Sequence, residues 1–305
     1  MRLRLLTASL FVGLLSLSAC EVFNPDEQLP AYLALHYPEL VQPNGDTITT
    51  AGVDNIWLFQ GGNLHGIFPV QPDAPTVIPT TDLETTDFTL AGGVYLAGNP
   101  AQSVQYPFWE ADTAFRTLTE RDTVHFYPQF AYRADTLLDY HLAESFESGN
   151  QLEAFPDDRG GNNEVAYQVR AGSAFEGDRY LEVRFSESNR VMELYNPDAF
   201  FLPRTGRVFA EIAYRGNIKF GLSLIRWEAG SGPDEIIYVP FRSFATGSIP
   251  TRPYDTDAWQ KVYYDLSVLI DQSPVNSPHH LYLLAISNGT PRNLQFDSVR
   301  ILSFE

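Results

Sequence analysis

The chain has one cysteine, Cys20, in 305 residues. No disulfide can close within it, so the folded part must be held by burial, hydrogen bonds or a bound ion. Lysine is almost missing as well. Lys219 and Lys261 are the only two, and the other basic side chains are arginines. Positive charge is scarce overall: 20 Lys and Arg stand against 38 Asp and Glu, a net charge of −18. A field of that sign repels phosphate backbones and excludes nucleic acid as a partner. Long segments with a 3.6-residue apolar period are absent, and beyond the first twenty residues no run is apolar enough to span a bilayer as a helix. Catalytic signatures are missing too. There is no G-x-S-x-G nucleophile elbow and no phosphate-cradling glycine loop. His279 and His280 are adjacent, which does not place two zinc ligands on one face and reads as the end of a loop. No carboxylate pair is singled out for glycoside hydrolysis. The expectation is a protein that is not an enzyme.

What is present begins at the N-terminus. Arg2 and Arg4 precede a mostly apolar run from Leu5 to Leu15, and Leu17-Ser18-Ala19-Cys20 closes it. That run suits a secretory signal and is short for a membrane span. The four closing residues resemble the lipobox of bacterial lipoproteins. The resemblance implies cleavage after residue 19 and a lipid on the Cys20 thiol. An acyl chain contributes about 0.8 kcal/mol per buried methylene, so several chains make a permanent anchor. Removing Arg2 and Arg4 takes the net charge from −18 to −18 − 2 = −20. Residues 20–30 then form a polar tether, and the protein is expected at the cell envelope, on the outer membrane, either periplasmic or surface-exposed. Glu21, Asp26 and Glu27 loosely resemble the acidic surface-export signal of Bacteroidota lipoproteins.

The rest reads as strand. The chain carries 16 Tyr and 21 Phe, with 21 Gly and 21 Pro as punctuation. Short aromatic and β-branched runs between turn residues argue for an all-β protein of two consecutive β-sandwich domains. Residues 31–134 hold about seven short strands, the pattern of a small immunoglobulin- or transthyretin-like sandwich. Within them, Gln60-Gly61-Gly62-Asn63 separates two apolar runs and predicts a hairpin. Residues 135–305 hold longer alternating segments: Tyr180–Phe185, Val208–Tyr214, Lys219–Ile225, Trp259–Ser267, His280–Ile286 and Phe296–Leu302. Their alternation gives each strand one wet and one buried face, as in a jelly-roll-like sandwich.

Two resemblances add to this. Asp54–Leu58, Gly66–Pro69, Ile78-Pro79 and Gln105–Phe108 resemble an N-terminal domain of uncharacterised Bacteroidota lipoproteins, which implies location but no activity. Glu144–Glu147, Gly177 with Tyr180–Val183, Asp257–Val262, Asp265–Ser267 and Phe296–Ile301 resemble the galactose-binding-like β-sandwiches of carbohydrate-binding modules. That second resemblance implies a structural calcium near the first and last strands, with Glu144, Glu147 and Asp297 as its ligands. A hard cation wants several such oxygens.

For a glycan ligand, exposed flat aromatics beside hydrogen-bonding groups are needed. Trp227, Tyr238, Arg242 and Tyr254 are the candidate ligand-binding residues, while Trp259, opening an alternating strand, is expected in the core. Asp-Thr or Asp-Ser before an apolar residue recurs, from Asp46-Thr47-Ile48 to Asp297-Ser298-Val299, and resembles the O-glycosylation sequon of Bacteroidota envelope proteins. The same tripeptide also serves as a turn entering a strand. The functional expectation is a membrane-anchored, non-catalytic envelope lipoprotein whose distal domain binds glycan or another extracellular ligand. The alternative is a structural or assembly subunit of an envelope protein complex.

Overall fold

A computed structural model describes residues 29–305 except 43–44, 49–51, 84, 156–164, 217, 230–235 and 241–257, and leaves the side chains of 227–229 and 236–240 undescribed. The expected signal, Cys20 with its expected lipid, and most of the expected tether lie outside the described residues, as do Arg242 and Tyr254. Among the described residues no helix is long and apolar enough to cross a membrane.

The protein is all-β, built as two β-sandwiches in tandem. The first contains β1 (Ala31–Leu35), β2 (Glu39–Val41), β3 (Thr47–Ile48), β4 (Asn55–Gln60), β5 (Asn63–Pro69), β6 (Thr76–Thr80), β7 (Thr86–Tyr95), β8 (Ser103–Gln105), β9 (Asp112–Arg116), β10 (Thr123–Phe126) and β11 (Gln129–Ala131). These eleven strands exceed the seven expected from sequence. The extra ones are two to five residues long, too short for alternation to register. The β4–β5 hairpin forms as predicted, turning at Gly61 and Gly62 with φ of 55° and 77°. Those left-handed angles are accessible to glycine at little cost.

One layer runs β10-β1-β6 and continues as β11-β2-β3; the other runs β5-β4-β7-β8, with β9 also on β7. β1 pairs with β10, and β2 with β11, in parallel. Leu33, Leu35 and Leu40 from one layer meet Ile56, Leu58, Phe88 and Leu90 from the other in a common core. Phe88 and Phe126 meet edge to face across it at 5.2 Å.

A 3₁₀ turn (Asp135–Leu137) leads into the second sandwich. Its strands are β12 (Leu138–Glu144), β13 (Glu153–Ala154), β14 (Ala166–Ala171), β15 (Arg179–Phe185), β16 (Val191–Tyr195), β17 (Phe200–Phe201), β18 (Val208–Gly216), β19 (Phe220–Ala229), β20 (Ile236–Pro240), β21 (Gln260–Asp265), β22 (Pro278–Ile286) and β23 (Arg292–Phe304). A short helix, α1 (Ser267–Asp271), follows β21 and cuts short the strand expected to reach Ser267. One sheet is ordered β14-β15-β23-β18-β21, with β12 also on β23; the other is β13-β16-β22-β19-β20, with β17 on β22. Alternation in β15 sends Leu181, Val183 and Phe185 into the core and Tyr180, Glu182 and Arg184 to the outer face. His279 and His280 do not end a loop. They lie inside β22, buried, with His279 bonded to Ser273 Oγ at 3.0 Å and His280 to the Asn196 carbonyl at 2.9 Å. Burial, then Arg226, pushes His279 down to about 4.

The two sandwiches share apolar packing. Phe209, Tyr263 and Leu302, on the outer face of the second sandwich, belong to the core of the first. The Ala97 N–H donates to the Tyr263 carbonyl at 2.7 Å. Inside this seam sits a buried ion pair, Lys261 Nζ to Glu211 at 2.6 Å, with both side chains fully excluded from solvent. Tyr106 and Tyr132 hydroxyls donate to the same carboxylate, and Lys261 also donates to Tyr132 at 2.8 Å. Burial pushes the Glu211 carboxyl up, but Lys261 and Arg300 outweigh it and hold it below its ordinary value. Burial pulls the Lys261 ammonium down, and Glu211 offsets part of that.

Candidate functional site

The first sandwich covers only part of the outer face of the β14-β15-β23-β18-β21 sheet. The remainder, among the described residues, mixes exposed Gln168 and Arg184 with half-buried Arg215 and Trp259 and buried Glu182 and Gln295, and pairing register shows how they line up. Gln168 on β14 faces Glu182 on β15; Glu182 faces Gln295 on β23; Gln295 faces Arg215 on β18. Trp259, just before β21, continues that row. The adjacent row pairs Arg170 with Tyr180, and the row on the other side pairs Arg184 with Asn293. Strands about 4.8 Å apart make the stretch from Gln168 to Arg215 about 14 Å wide.

The centre of this face is aromatic. The Arg215 guanidinium lies 4.6 Å from the Trp259 ring and 5.2 Å from the Tyr180 ring, and its Nε donates to Gln295. Tyr180 and Trp259 approach edge to face at 5.9 Å. The Trp259 indole N–H donates to the Ser173 carbonyl at 3.0 Å, which fixes the ring's orientation. Trp259, expected in the core, is therefore half-buried on the outer face. Its alternation signal was sound, but residue 259 precedes the first paired residue of β21, and Arg215 and Tyr180 supply its neighbours instead of the core. Each cation–π contact contributes about 0.5–1 kcal/mol at such an exposed site.

Beside the aromatics, Glu182 anchors two arginines. It accepts from Arg170 Nε at 3.1 Å and from Arg184 at 2.6 Å, while the Arg170 and Arg184 side chains keep 36% and 59% of their surface exposed. The loop from Gly172 to Asp178 bounds the site. Asp297 Oδ2 accepts from the N–H groups of Phe175 and Glu176 at 2.7 and 2.9 Å, and Glu147 accepts from those of Asp178 and Arg179. Glu176 then pairs with Arg300 on the far side of the loop.

The three acids named as calcium ligands each accept from backbone N–H groups. Glu144 accepts from the backbone of Phe146 and Gln151, Glu147 from Asp178 and Arg179, and Asp297 from Phe175, Glu176 and Ser298. The three carboxylates serve as loop anchors. Among the described residues no group of three or more His, Cys, Asp or Glu side chains is gathered as a metal site. Burial pushes Asp297 up to about 7, against the lowering effect of its three N–H donors. Asp297 and Ser298 are 0% and 1% exposed, so this Asp-Ser pair is closed to glycosylation in the folded protein.

Trp227 and Tyr238 are register partners on β19 and β20, at an edge of the opposite sheet. That separates them from Trp259 and Tyr180 by the thickness of the sandwich. A second concavity, a cleft of about 520 Å³, opens near the joint, lined among others by Asp135, Tyr140, Glu176 and Arg300. Burial pushes the Tyr140 phenol up to about 12. Sequence reasoning missed Arg170, Tyr180, Arg184 and Arg215. A signal was present in the i, i+2 spacing of Tyr180, Glu182 and Arg184, which places all three on one strand face.

No family model and no curated protein matches the chain. Several solved structures are similar to it in part. The CBM22-1 xylan-binding domain from Paenibacillus barcinonensis Xyn10C aligns over 54% of this chain and 94% of its own, at 16% identity and a TM-score of 0.35. A carbohydrate-binding module of the β-sandwich superfamily covers 91% of this chain and 99% of its own, at 11% identity and a TM-score of 0.37. The family 11 carbohydrate-binding module from Clostridium thermocellum, in complex with a mixed-linked tetrasaccharide, covers 54% of this chain and 95% of its own, at 8% identity and a TM-score of 0.34.

Proposed function

We propose that this protein is a non-catalytic, lipid-anchored envelope protein that binds glycan on the outer face of its second sandwich. The observation that carries the reading is the Tyr180–Arg215–Trp259 cluster. Sugar rings have apolar C–H faces and a rim of hydroxyls. An aromatic edge-and-face pair with a planar guanidinium alongside matches both. The anchor rests on the resemblance of Leu17–Cys20 to a lipobox, and it leaves the folded body facing water.

Calorimetric titration of the purified protein against a panel of soluble polysaccharides tests the site. Binding to at least one glycan is expected, with Trp259→Ala weakening it at least tenfold while the melting profile is kept. Equal affinity in Trp259→Ala removes this face from the reading. Mass spectrometry of the native N-terminal peptide tests the anchor, and an unmodified Cys20 thiol would remove it.

A second reading draws on the first sandwich. Register places Leu64, Ile67 and Phe115 on the outer face of the β5-β4-β7-β9 sheet, and they are 49%, 41% and 67% exposed. An apolar face of this kind suits contact with another envelope protein. A stable protein partner recovered by cross-linking in intact cells, and lost in Phe115→Glu, would favour it.

A further inference from the structure

We infer that the saccharide taken by this face is acidic, carrying carboxylate or sulfate groups. The inference rests on the glycan-binding reading above and names the ligand's chemical class. The face departs from the charge of the molecule around it. The whole chain has 38 acids to 20 bases, yet in these rows, among the described residues, Arg170, Arg184 and Arg215 stand against Glu182, a local balance of +3 − 1 = +2. Asp297, two residues along β23 from Gln295, is fully buried and turned to backbone N–H groups. Glu182 does not neutralise the patch. It holds two guanidiniums in place from beneath, and its own side chain is only 10% exposed.

Residue type points the same way. The three cations are arginines, whose planar fork matches a carboxylate or sulfate with two parallel hydrogen bonds. Arg215 is positioned by a neutral partner, Gln295, and by the two rings, so its charge is not cancelled by a neighbouring acid within the row. Arg215 continues the Glu182–Gln295 row and Arg184 lies in the row beside it, on a different strand, so acidic groups on successive sugars can meet separate arginines while a ring rests on Trp259 or Tyr180. The global charge repels polyanions at long range, so any affinity for one has to come from contacts this local.

The test uses matched polymers that differ only in charge: polygalacturonate against its fully methyl-esterified form, and dextran sulfate against dextran. The charged member of at least one pair is expected to bind the purified protein at least tenfold tighter at moderate salt, with affinity falling as salt rises. Which pair responds separates a uronate from a sulfated ligand. Arg184→Gln and Arg170→Gln, both at solvent-facing side chains, should each reduce the charged-to-neutral affinity ratio on the order of tenfold. Equal affinity within both pairs, with loss of binding in Trp259→Ala, overturns the acidic assignment and leaves glycan binding intact. A charge preference untouched by both arginine variants also overturns it, since the polyanion would then sit elsewhere. Failure of the folded protein to bind any polymer overturns both.

Discussion

Replacing Glu211 with Gln should unsettle the seam between the sandwiches more than any surface change. The carboxylate receives Lys261 and the hydroxyls of Tyr106 and Tyr132, all without access to water. In Glu211→Gln the shape survives, but the Lys261 ammonium loses its counter-charge. Removing one partner of a buried pair costs about 3–5 kcal/mol. The ammonium has one escape, to lose its proton. From an ordinary pKa of about 10.4, that costs about 1.36 × 3.4, or about 4.6 kcal/mol, at pH 7, so the two routes give the same scale. Urea unfolding followed by tryptophan emission should show that loss, and calorimetry a fall in Tm on the order of 10 °C. The pH dependence is the sharper readout. A lysine whose folded pKa is depressed binds fewer protons folded than unfolded, so stability rises with pH up to the unfolded value. The Glu211→Gln deficit should therefore shrink from pH 7 toward pH 10, more steeply than in the parent protein. The double variant Glu211→Gln, Lys261→Met should recover much of the loss at pH 7, because no unpaired charge remains. A loss below about 1 kcal/mol, or a deficit that stays flat with pH, would refute the reasoning.

Asp297→Asn tests the loop anchor. The raised carboxyl of Asp297 contributes stability that is present in full below its unfolded value and is lost as pH rises from about 4 through about 7, on the order of 4 kcal/mol. Unfolding curves at several pH values should show that slope in the parent and not in Asp297→Asn. Gly93→Ala should destabilise by about 1–3 kcal/mol, because an added Cβ would lie 2.1 Å from Asn55 Oδ1 and 2.6 Å from the Trp57 indole nitrogen. Melting with and without a chelator tests the expected calcium at Glu144, Glu147 and Asp297, and an unchanged midpoint would remove it. A midpoint lowered by chelator would support it. Ser298 is non-glycine at φ 46°, so Ser298→Gly should raise stability by about 0.5–1 kcal/mol in denaturant titrations.

Strand character was legible residue by residue. The pleat sends successive side chains to opposite faces, so Tyr180–Phe185 declares both its conformation and its two faces without reference to any partner, whereas the face of Val208–Tyr214 expected to be wet is buried under the first sandwich. The Gly61-Gly62 turn is equally local, because its dihedral angles are set by the two glycines themselves. The site was legible only in fragments. Tyr180, Glu182 and Arg184 could be assigned to one face, but that Arg215 lies between Tyr180 and Trp259 depends on β23 separating β15 from β18. Strand order is chosen by long-range pairing, and no short stretch of sequence encodes it. The same limit explains the acids. Resemblance set Glu144, Glu147 and Asp297 near the ends of the first and last strands, but not which backbone groups they touch. The loop at Gly172–Asp178 reached two of them with its own N–H groups.

Sequence by itself determined the all-β character, the charge and the scarcity of lysine and cysteine. Tertiary structure alone decided that one of the two lysines would be sealed against Glu211 between the sandwiches and that Trp259 would face outward. Backbone pleat and turn preference act over a few residues, whereas burial and pairing depend on which distant segment arrives to cover a side chain.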